Sequence, residues 1–462
     1  MIRADATATL TTSAASAIPI TALDSDGFGT WSRKQPAATR AWIEGNGFKA
    51  EAGAVCLLPN AKSRVERVLF GLDRDDPWCW AQLAAKLPAG SYRIDGTLVQ
   101  SQANWAALAW ALAAYRFGRY KLADKKARAT LVWPTGADRK QVESAAQAIA
   151  WVRDLVNTPA ADMGPAELAG AATKLAKQHK AKLKLIVGDA LLKANYPAVH
   201  AVGRASSRAP RLIDFTWGNP RAPKVTLVGK GVCFDSGGLD IKPSSGMLNM
   251  KKDMGGAAHA LGLASMIMDA GLKVRLRVLI PAVENAISGN AMRPLDVLPT
   301  RKGKTVEIGN TDAEGRLILC DCLAEADAEK PALLIDFATL TGAARVALGP
   351  DLPALFANDD RLAADILDAG EETSDPLWRL PLWKPYRKWL DSKVAEISST
   401  GSSPFAGSIT AALFLADFVS ADTAWAHFDL FAWNATTRPG RPEGGEAMGL
   451  RALFYLLEKR YG

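Results

Sequence analysis

Two glycine-containing stretches of the sequence concentrate charged side chains at spacings that suit metal binding. The first is GKGVCFDSGGLDIKPSSGMLNMKKDMGG (residues 229–256), and the second is NTDAEGR (residues 310–316). Glycines let the backbone approach a ligand closely, so a backbone that carries the charged side chains of these stretches can fold around an ion. The charged residues of interest are Lys230, Asp235, Lys242, Asp253, Asp312, Glu314 and Arg316.

The four carboxylates in this set are the strongest chemical signal. If all of them converged without compensation they would repel one another, whereas two divalent cations would balance their charge. Ligation rich in carboxylate oxygens suits ions such as Mn²⁺, Mg²⁺ or Zn²⁺. Paired ions activate water and polarise the group under attack, so the residues alone predict metal-assisted hydrolysis.

The second stretch also has a purely structural interpretation. Thr311 and Glu314 match the capping box of a helix that begins there, and an apolar run follows at helical spacing. Asp312 and Glu314 are two residues apart, which separates them by about 200° on a helix but aligns them in an extended chain. Metal binding by both therefore predicts that NTDAE is a loop and that the helix starts near Gly315.

Other catalytic chemistries are less well supported. Cys233 lies in the first stretch, but no histidine neighbours it in sequence, and a buried thiol is the favoured interpretation. The order of a phosphate-binding loop is absent because Lys230 precedes the glycines, and no G-x-S-x-G or H-E-x-x-H motif occurs. The histidines are scattered and are interpreted as structural: His179, His200, His259 and His427.

Alternating strands and helices must position these residues. Beyond residue 159, apolar runs such as KVTLVGKG, VRLRVLIPAV and ALLIDFATL alternate with helical patterns such as GAAHALGLASMIMDAG. This alternation predicts an α/β domain whose central sheet is mixed but largely parallel and is flanked by helices. Asp235 follows KVTLVGKG and Asp312 follows TVEIGN, so both are expected in loops at the carboxyl ends of strands, where ligands usually bind.

A length of 462 residues predicts two domains. We expect a smaller amino-terminal α/β domain at residues 1–135, with a helix around 104–127 and strands in AVCLLP (54–59) and ATLVW (129–133). A connecting helix and linker at 136–158 ends where prolines break the pattern. Residues 159–462 then form the larger, catalytic domain.

Composition constrains partners and location. Residues 1–150 hold 19 Lys and Arg against 13 Asp and Glu, with a basic run at Arg116, Arg119, Lys121, Lys125, Lys126 and Arg128. That run could form a helix facing nucleic acid, but no nucleic-acid-binding motif accompanies it, and a solvated face is preferred. Five cysteines without paired spacing indicate reduced thiols and a cytoplasmic protein, and no segment is expected to enter a membrane.

Several motifs resemble those of the leucyl (cytosol) aminopeptidases. NTDAEGRL, GKGVCFDSGGLDIKP, MKKDMGGAA, DFATLTGA and WAHFDLFAW follow the order and spacing of that family, and the resemblance covers roughly residues 150–450. It implies a two-metal enzyme that releases amino-terminal residues from peptides with a free amino terminus. It also implies a homohexamer that binds two Mn²⁺ or Zn²⁺ ions per subunit.

The resemblance assigns a role to each residue. Asp235 and Glu314 would bridge both ions, Lys230 and Asp253 would complete the tighter site, and Asp312 would complete the more exchangeable one. Lys242 would stabilise the oxyanion, and Arg316 would hold a bicarbonate-like anion that acts as general base. The side-chain pocket would be lined by Met250, Thr339 and Gly342.

One departure from the family concerns the substrate pocket, because GGEAMGLRALF (444–454) replaces a Gly-Ala-Thr-Gly turn and leaves the preferred residue undetermined. Two other function classes remain as alternatives. The basic amino-terminal domain could add a DNA-binding or regulatory role, which a steep dependence of DNA affinity on salt would reveal. A metallophosphatase is the other, and the motif order disfavours it.

Overall fold

A computed structural model describes residues 5–121 and 127–462. Two compact units divide the chain. One consists of Trp151–Ala435 and Gly444–Gly462, and the other of Ala150 and the described residues before it, together with Thr436–Glu443. The predicted pair of α/β domains is confirmed.

The amino-terminal unit contains a six-stranded sheet in the order β1-β6-β5-β2-β4-β3, in which only the β3–β4 pair is antiparallel. Its strands are β1 (Leu10–Thr11), β2 (Ile18–Leu23), β3 (Val55–Pro59), β4 (Val65–Gly71), β5 (Gly90–Ile94) and β6 (Ala129–Val132). Its helices are α1 (Ser25–Arg33), α2 (Ala37–Gly45), α3 (Cys79–Lys86) and α4 (Gln100–Ala113), and α5 (Arg139–Asn157) runs from it into the larger unit.

The prediction of a helix over 104–127 is wrong for residues 115–121. Helix α4 ends at Ala113, and residues 115–121 are irregular, so the basic side chains of Arg116, Arg119 and Lys121 do not share a helical face. Lys125 and Lys126 lie outside the described residues. Helix α5 spans Arg139–Asn157, where the connecting helix is predicted, and no helix within the described residues is both long and apolar enough to cross a membrane.

The larger unit is built on a nine-stranded mixed sheet in the order β16-β15-β18-β14-β9-β11-β8-β7, with β10 paired to β11. The pairs from β18 through β14 and β9 to β11 are parallel. The strands of this sheet are β7 (Lys182–Val187), β8 (Arg211–Gly218), β9 (Lys224–Gly229), β10 (Gly231–Asp235), β11 (Arg275–Asn285), β14 (Leu333–Ala338), β15 (Ala354–Ala357), β16 (Trp378–Arg379) and β18 (Trp425–Asp429). Two smaller sheets consist of β12 (Val297–Pro299), β13 (Thr305–Glu307) and β17 (Ile397–Ser398), and of β19 (Trp433–Asn434) and β20 (Gly444–Gly445).

Helices cover this sheet. They are α6 (Pro165–Gln178), α7 (Ala190–Lys193), α8 (Pro197–Gly203), α9 (Ser244–Met247), α10 (Gly255–Ala270), α11 (Glu314–Ala328), α12 (Gly342–Leu348), α13 (Asp360–Glu372), α14 (Gly407–Ala416) and α15 (Leu450–Tyr461). Short 3₁₀ turns lie at Ala160–Asp162, Met250–Met254, Thr311–Ala313 and Lys384–Leu390. Helices α10 and α11 both pack against β9, β11 and β14.

Helix α10 is apolar all round, and its sequence explains both its burial and its end. Its residues from Gly255 to Met268 are buried, as expected for a helix with no polar face. It stops at Gly271, whose φ of 71° lies in the left-handed region that favours glycine. The helix is thereby fixed against the sheet, and its first turn has a defined position.

Two strand assignments are corrected by the structure. KVTLVGKG does not form one strand, because β9 ends at Gly229 and Gly231 begins the separate strand β10. Asp235 is the last residue of β10, whereas a loop position was expected. TVEIGN contributes β13, which belongs to the small sheet with β12 and β17 and not to the central one. Asp312 therefore reaches the site from the start of a helix and not from the end of a central strand.

Candidate metal centre

Five elements of the larger unit converge on the predicted metal ligands. Lys230 directly follows β9 and Asp235 ends β10, while Asp253 lies in the 3₁₀ turn that leads into α10. Asp312 lies in the 3₁₀ turn before α11, and Glu314 is the first residue of that helix. Their placement at strand ends and helix starts agrees with the rule for ligand sites in α/β sheets.

The capping-box interpretation of NTDAE is wrong. The side chain of Asn310 caps the turn by accepting a hydrogen bond from the backbone N–H of Asp312 at 2.7 Å. The Thr311 hydroxyl instead donates to the carbonyl oxygen of Gly237, at 2.6 Å. Because α11 begins at Glu314, Asp312 and Glu314 do not lie on opposite faces of one helix.

Three carboxylates meet closely enough to share an ion. Asp235, Asp312 and Glu314 each offer an oxygen atom, and these atoms lie within 4.8 Å of one another. The buried Oε2 atom of Glu314 has no hydrogen-bond partner among the described residues. A buried oxygen of this kind is costly unless a cation approaches it, so the donor set fits a metal ion.

Two lysines hold the carboxylates together in pairs. Lys230 Nζ lies 2.8 Å from Asp253 Oδ2 and 2.9 Å from Glu314 Oε1. Lys242 Nζ lies 2.9 Å from Asp235 Oδ2 and also pairs with Asp312. We call these four carboxylates and two lysines the carboxylate cluster. Its carboxylates outnumber its lysines by two.

Burial and mutual repulsion shift the pKa values in this cluster. Burial and the nearby Asp235 raise the pKa of Glu314 to about 8 and that of Asp312 to about 6. Burial alone would also raise the pKa of Asp235, but Lys242 and Lys230 lower it. Burial would lower the pKa of Lys230, but Asp253 and Glu314 raise it above its ordinary value. These directions show a site with more negative charge than its own lysines compensate.

Gly315 is required by the close approach of Lys230. A Cβ atom at this position would lie 2.6 Å from Lys230 Cε and 2.8 Å from its Nζ. The glycine therefore lets the lysine pass the first turn of α11 and reach Glu314.

Hydrogen bonds from neighbouring side chains orient the carboxylates. Asn285 Nδ2 donates to Asp235 Oδ1 at 2.9 Å and to the carbonyl oxygen of Thr311 at 3.1 Å. Asn285 therefore links the two charged stretches, residues 229–256 and 310–316. The hydroxyl of Thr339 donates to Asp253 Oδ1 at 2.7 Å. The sequence analysis missed Asn285, which ends β11 next to β10 and is distant in sequence from both motifs.

Arg316 lies in the first turn of α11 and is almost fully buried. Its Nη1 donates to the carbonyl oxygen of Ser399 at 2.7 Å, while its Nε has no hydrogen-bond partner among the described residues. Burial lowers the pKa of its guanidinium to about 10, which leaves it charged at neutral pH. The unpaired Nε is a donor available to an anion.

One cavity of about 580 Å³ brings together every residue singled out from the sequence. Its lining also includes Lys252, Arg345, Asp429 and Phe431, which sequence reasoning did not select. The residues predicted from the sequence that line it are Lys230, Asp235, Lys242, Met250, Asp253, Asp312, Glu314, Arg316, Thr339 and Gly342.

The residues set aside in the sequence analysis do lie elsewhere. Cys233 is fully buried in β10, and burial raises the pKa of its thiol well above the ordinary value. His427 pairs with Asp336 at 2.6 Å in the core. Glu446, in the stretch that departs from the family pattern, is buried in an ion pair with Arg153 at 3.1 Å.

Two family models match the chain. The catalytic domain of the cytosol aminopeptidase family matches residues 150–454, and the M17 aminopeptidase amino-terminal domain matches residues 18–134. Similarity thus extends into the amino-terminal unit, where the sequence motifs gave little indication of it.

Individual relatives agree with the family models. The crystal structure of a cytosol aminopeptidase from Coxiella burnetii is 52% identical with a TM-score of 0.95, and the match covers 98% of this chain and 100% of that one. The bottromycin maturation enzyme BotP in complex with Mn is 34% identical with a TM-score of 0.85, over 96% and 99% of the two chains. Peptidase B of Klebsiella pneumoniae (strain 342) is 42% identical over 348 residues, 72% of this chain and 80% of that protein.

Proposed function

The chain belongs to the cytosol aminopeptidase family of metal-dependent exopeptidases, and we propose that it hydrolyses peptides with water activated by two divalent ions. The family makes it an aminopeptidase, a hydrolase that removes residues from amino termini. The number of ions, the ligand set and the role of each residue are the parts we propose.

The observation that carries the proposal is the excess of buried carboxylates over lysines at the candidate metal centre, together with the unpartnered Oε2 of Glu314. The ligands would be Lys230, Asp235, Asp253, Asp312 and Glu314, with Mn²⁺ or Zn²⁺ as the ions. Two such ions supply acidification of the attacking water and polarisation of the scissile carbonyl.

The side chain of Asp312 is 32% exposed, whereas those of Asp235, Asp253 and Glu314 are 1–3% exposed. This difference supports Asp312 as a ligand of the more exchangeable ion.

Two cations would act on the reacting groups. Lys242 lies within hydrogen-bond distance of two proposed ligands, and this position supports a role for its ammonium in stabilising the oxyanion that would develop during attack. Arg316 would use its unpaired Nε to hold a bicarbonate-like anion that accepts a proton from water. Both side chains line the same cavity as the proposed metal ligands.

The substrate would be a peptide with a free, uncharged amino group, because only such a group has a lone pair to donate to a metal. Met250, Thr339 and Gly342 line the cavity and would contact the side chain of the departing residue. Thr339 also orients Asp253, so its role combines pocket and ligand support.

We further propose a cytoplasmic homohexamer in which residues 1–135 form the amino-terminal domain, 136–158 the connecting segment and 159–462 the catalytic domain. Relatives named cytosol aminopeptidases support the location. The compact units change over at Trp151, inside the connecting helix, which supports the division.

A set of three reactions tests the function. Leu-Ala-amide should be hydrolysed in the presence of Mn²⁺ or Zn²⁺, the reaction should stop with a chelator, and the acetylated peptide acetyl-Leu-Ala-amide should resist cleavage. Cleavage of the acetylated peptide between leucine and alanine at a comparable rate would refute the aminopeptidase mechanism. A phosphatase would ignore these peptides altogether.

A further inference from the structure

One wall of the active-site cavity carries two cations that neither the proposed metal site nor the proposed catalytic groups use. Lys252 lies in the 3₁₀ turn beside Asp253, and Arg345 lies on α12. Lys252 Nζ and Arg345 Cζ each lie 4.9 Å from the ring centroid of Phe431. All three side chains line the cavity.

Lys252 is only 6% exposed. Within the described residues, its ammonium makes no hydrogen bond and no ion pair, and its recorded contact is with the Phe431 ring. Enclosing a lysine in the protein removes much of its hydration, and a cation–π contact compensates for that loss only in part. Its neighbour Lys251, by contrast, donates to the carbonyl oxygen of Asn157 at 2.8 Å.

The carboxylates nearest to this wall are already engaged. Asp429 accepts hydrogen bonds from the backbone N–H groups of Leu340 and Thr341 and from the Thr341 hydroxyl. Asp253 pairs with Lys230 and accepts from Thr339. Neither carboxylate forms an ion pair with Lys252 or Arg345, so the two cations face the cavity with their charge available.

From this arrangement, and resting on the proposed aminopeptidase function, we infer that Lys252 and Arg345 bind a carboxylate of the peptide substrate. A guanidinium and an ammonium on one wall complement a carboxylate better than they complement an apolar side chain of the substrate. Two parts of a peptide offer this chemistry: the side chain of an amino-terminal Glu or Asp, and the carboxyl terminus of a short peptide. Either would give the enzyme a preference that an uncharged pocket could not provide.

Two matched pairs of substrates separate these sources. Glu-Ala-amide against Gln-Ala-amide isolates the side-chain carboxylate, and Leu-Ala against Leu-Ala-amide isolates the terminal one. We expect the full-length, Mn²⁺-loaded enzyme to show a higher kcat/KM for the charged member of at least one pair. In Lys252→Met that ratio should fall roughly 10- to 100-fold, as expected when a charged hydrogen bond is lost.

Arg345→Gln changes an exposed position and should lower the same ratio, by a smaller factor of roughly 3- to 10-fold, because solvent screens its charge. It decides the test if Lys252→Met does not fold. Lys193→Met removes one positive charge at an exposed position outside the cavity lining and should leave the ratio unchanged.

The outcomes are distinct. Ratios near one in both pairs, or ratios unaffected by the folded variants, would overturn the carboxylate subsite while hydrolysis of the neutral peptides upholds the proposed function. Failure of the loaded enzyme to cleave any of the four peptides would refute the proposed function and the inference that rests on it.

Discussion

Helix α11 carries a charge cluster at each end, and the two clusters differ in their balance of charge. Carboxylates outnumber cations in the first cluster and equal them in the second. Its first residue, Glu314, belongs to the carboxylate cluster, in which four carboxylates share two lysines. Its later turns contribute Glu325, which with Glu329 just beyond the helix joins a set that we call the arginine network. That network pairs three arginines with three carboxylates: Arg275, Arg277, Arg301, Asp214, Glu325 and Glu329.

The balance of charge determines what each cluster can do. Hydrogen bonding to Arg275 lowers the pKa of Glu329, whereas burial and Asp235 raise the pKa of Glu314 to about 8. A balanced network keeps its groups ionised and ties α11 to the sheet, as Arg277 does by donating to Asp214 at 2.7 Å and to Glu325 at 2.8 Å. The unbalanced cluster is destabilised by its own charge and gains when cations bind.

The largest expected effect comes from Glu314→Gln, which keeps the shape of the side chain but removes its charge. Metal affinity should fall, and kcat/KM should drop on the order of 10³-fold or more, because metal polarisation supplies several kcal/mol. The unfolding free energy in chelator should stay the same or rise, since repulsion is relieved. Metal analysis, peptide hydrolysis and urea unfolding measure these three quantities.

The matched control for Glu314→Gln is Glu325→Gln, on the same helix but in the arginine network. It should lose stability and keep its metal ions. Full metal occupancy with undiminished hydrolysis in Glu314→Gln would show that Glu314 is not a ligand.

Next in size is the complementary change, Arg277→Met. It leaves Asp214 and Glu325 without one of their cations in a largely buried position, so the unfolding free energy should fall by about 3–5 kcal/mol. Metal content of the folded protein should not change. Arg293→Met, at an exposed position, controls for the lost charge. A stability loss no larger than that of the control would mean that the network does not stabilise the fold.

Lys242→Ala should have a smaller effect, confined to catalysis. We expect kcat to fall about 10²- to 10³-fold, as when one oxyanion donor is removed. Metal affinity should be retained or increased, because Lys242 competes with cations for Asp235 and Asp312. Isothermal titration with Mn²⁺ alongside steady-state kinetics tests this, and loss of a metal ion would assign Lys242 as a ligand instead.

The sequence predicted the chemistry of the cluster better than its geometry. Charged residues two apart, as in Asp312 and Glu314, restrict the backbone that can present both, so the start of α11 near Gly315 followed from a local argument. The division of KVTLVGKG and VCFD into β9 and β10 was missed because an apolar run carries no mark of where one strand ends. Membership of β13 in a separate sheet was missed because strand pairing is a long-range property.

Three further side chains were also beyond the sequence. Asn285 and Arg345 belong to no charged motif, and Lys252 lies in the first stretch but could not be distinguished there from its neighbour Lys251. Only folding brings the three to the cavity or its ligands. The arginine network likewise joins residues from β8, β11 and α11 that no local pattern connects. The balance of charge in this network can be determined only when the ion-pair partners of each residue are known.

The smallest effect is expected from a variant that removes a neutral hydrogen-bond donor from the carboxylate cluster. It tests whether neutral partners order this cluster, as charged partners order the arginine network. Asn285→Ala removes the donor shared by Asp235 Oδ1 and the Thr311 carbonyl. Asp235 Oδ1 then keeps only the Gly237 N–H at 2.9 Å, while Oδ2 still pairs with Lys242. Loss of such an outer partner typically weakens metal affinity about 10- to 100-fold. We therefore expect a weaker Kd for Mn²⁺ in competition with a chelating dye, and higher activity as Mn²⁺ is raised.

Asn290→Ala, on the loop that follows β11, is the matched control, because the recorded hydrogen bonds of Asn290 use its backbone only. Rescue of Asn285→Ala by excess metal distinguishes a positioning role from damage to the fold, since a misfolded site would not recover. If Kd equals that of the control, Asp235 is held adequately without Asn285, and the Gly237 N–H, the lysines and the bound ions are sufficient to order the cluster.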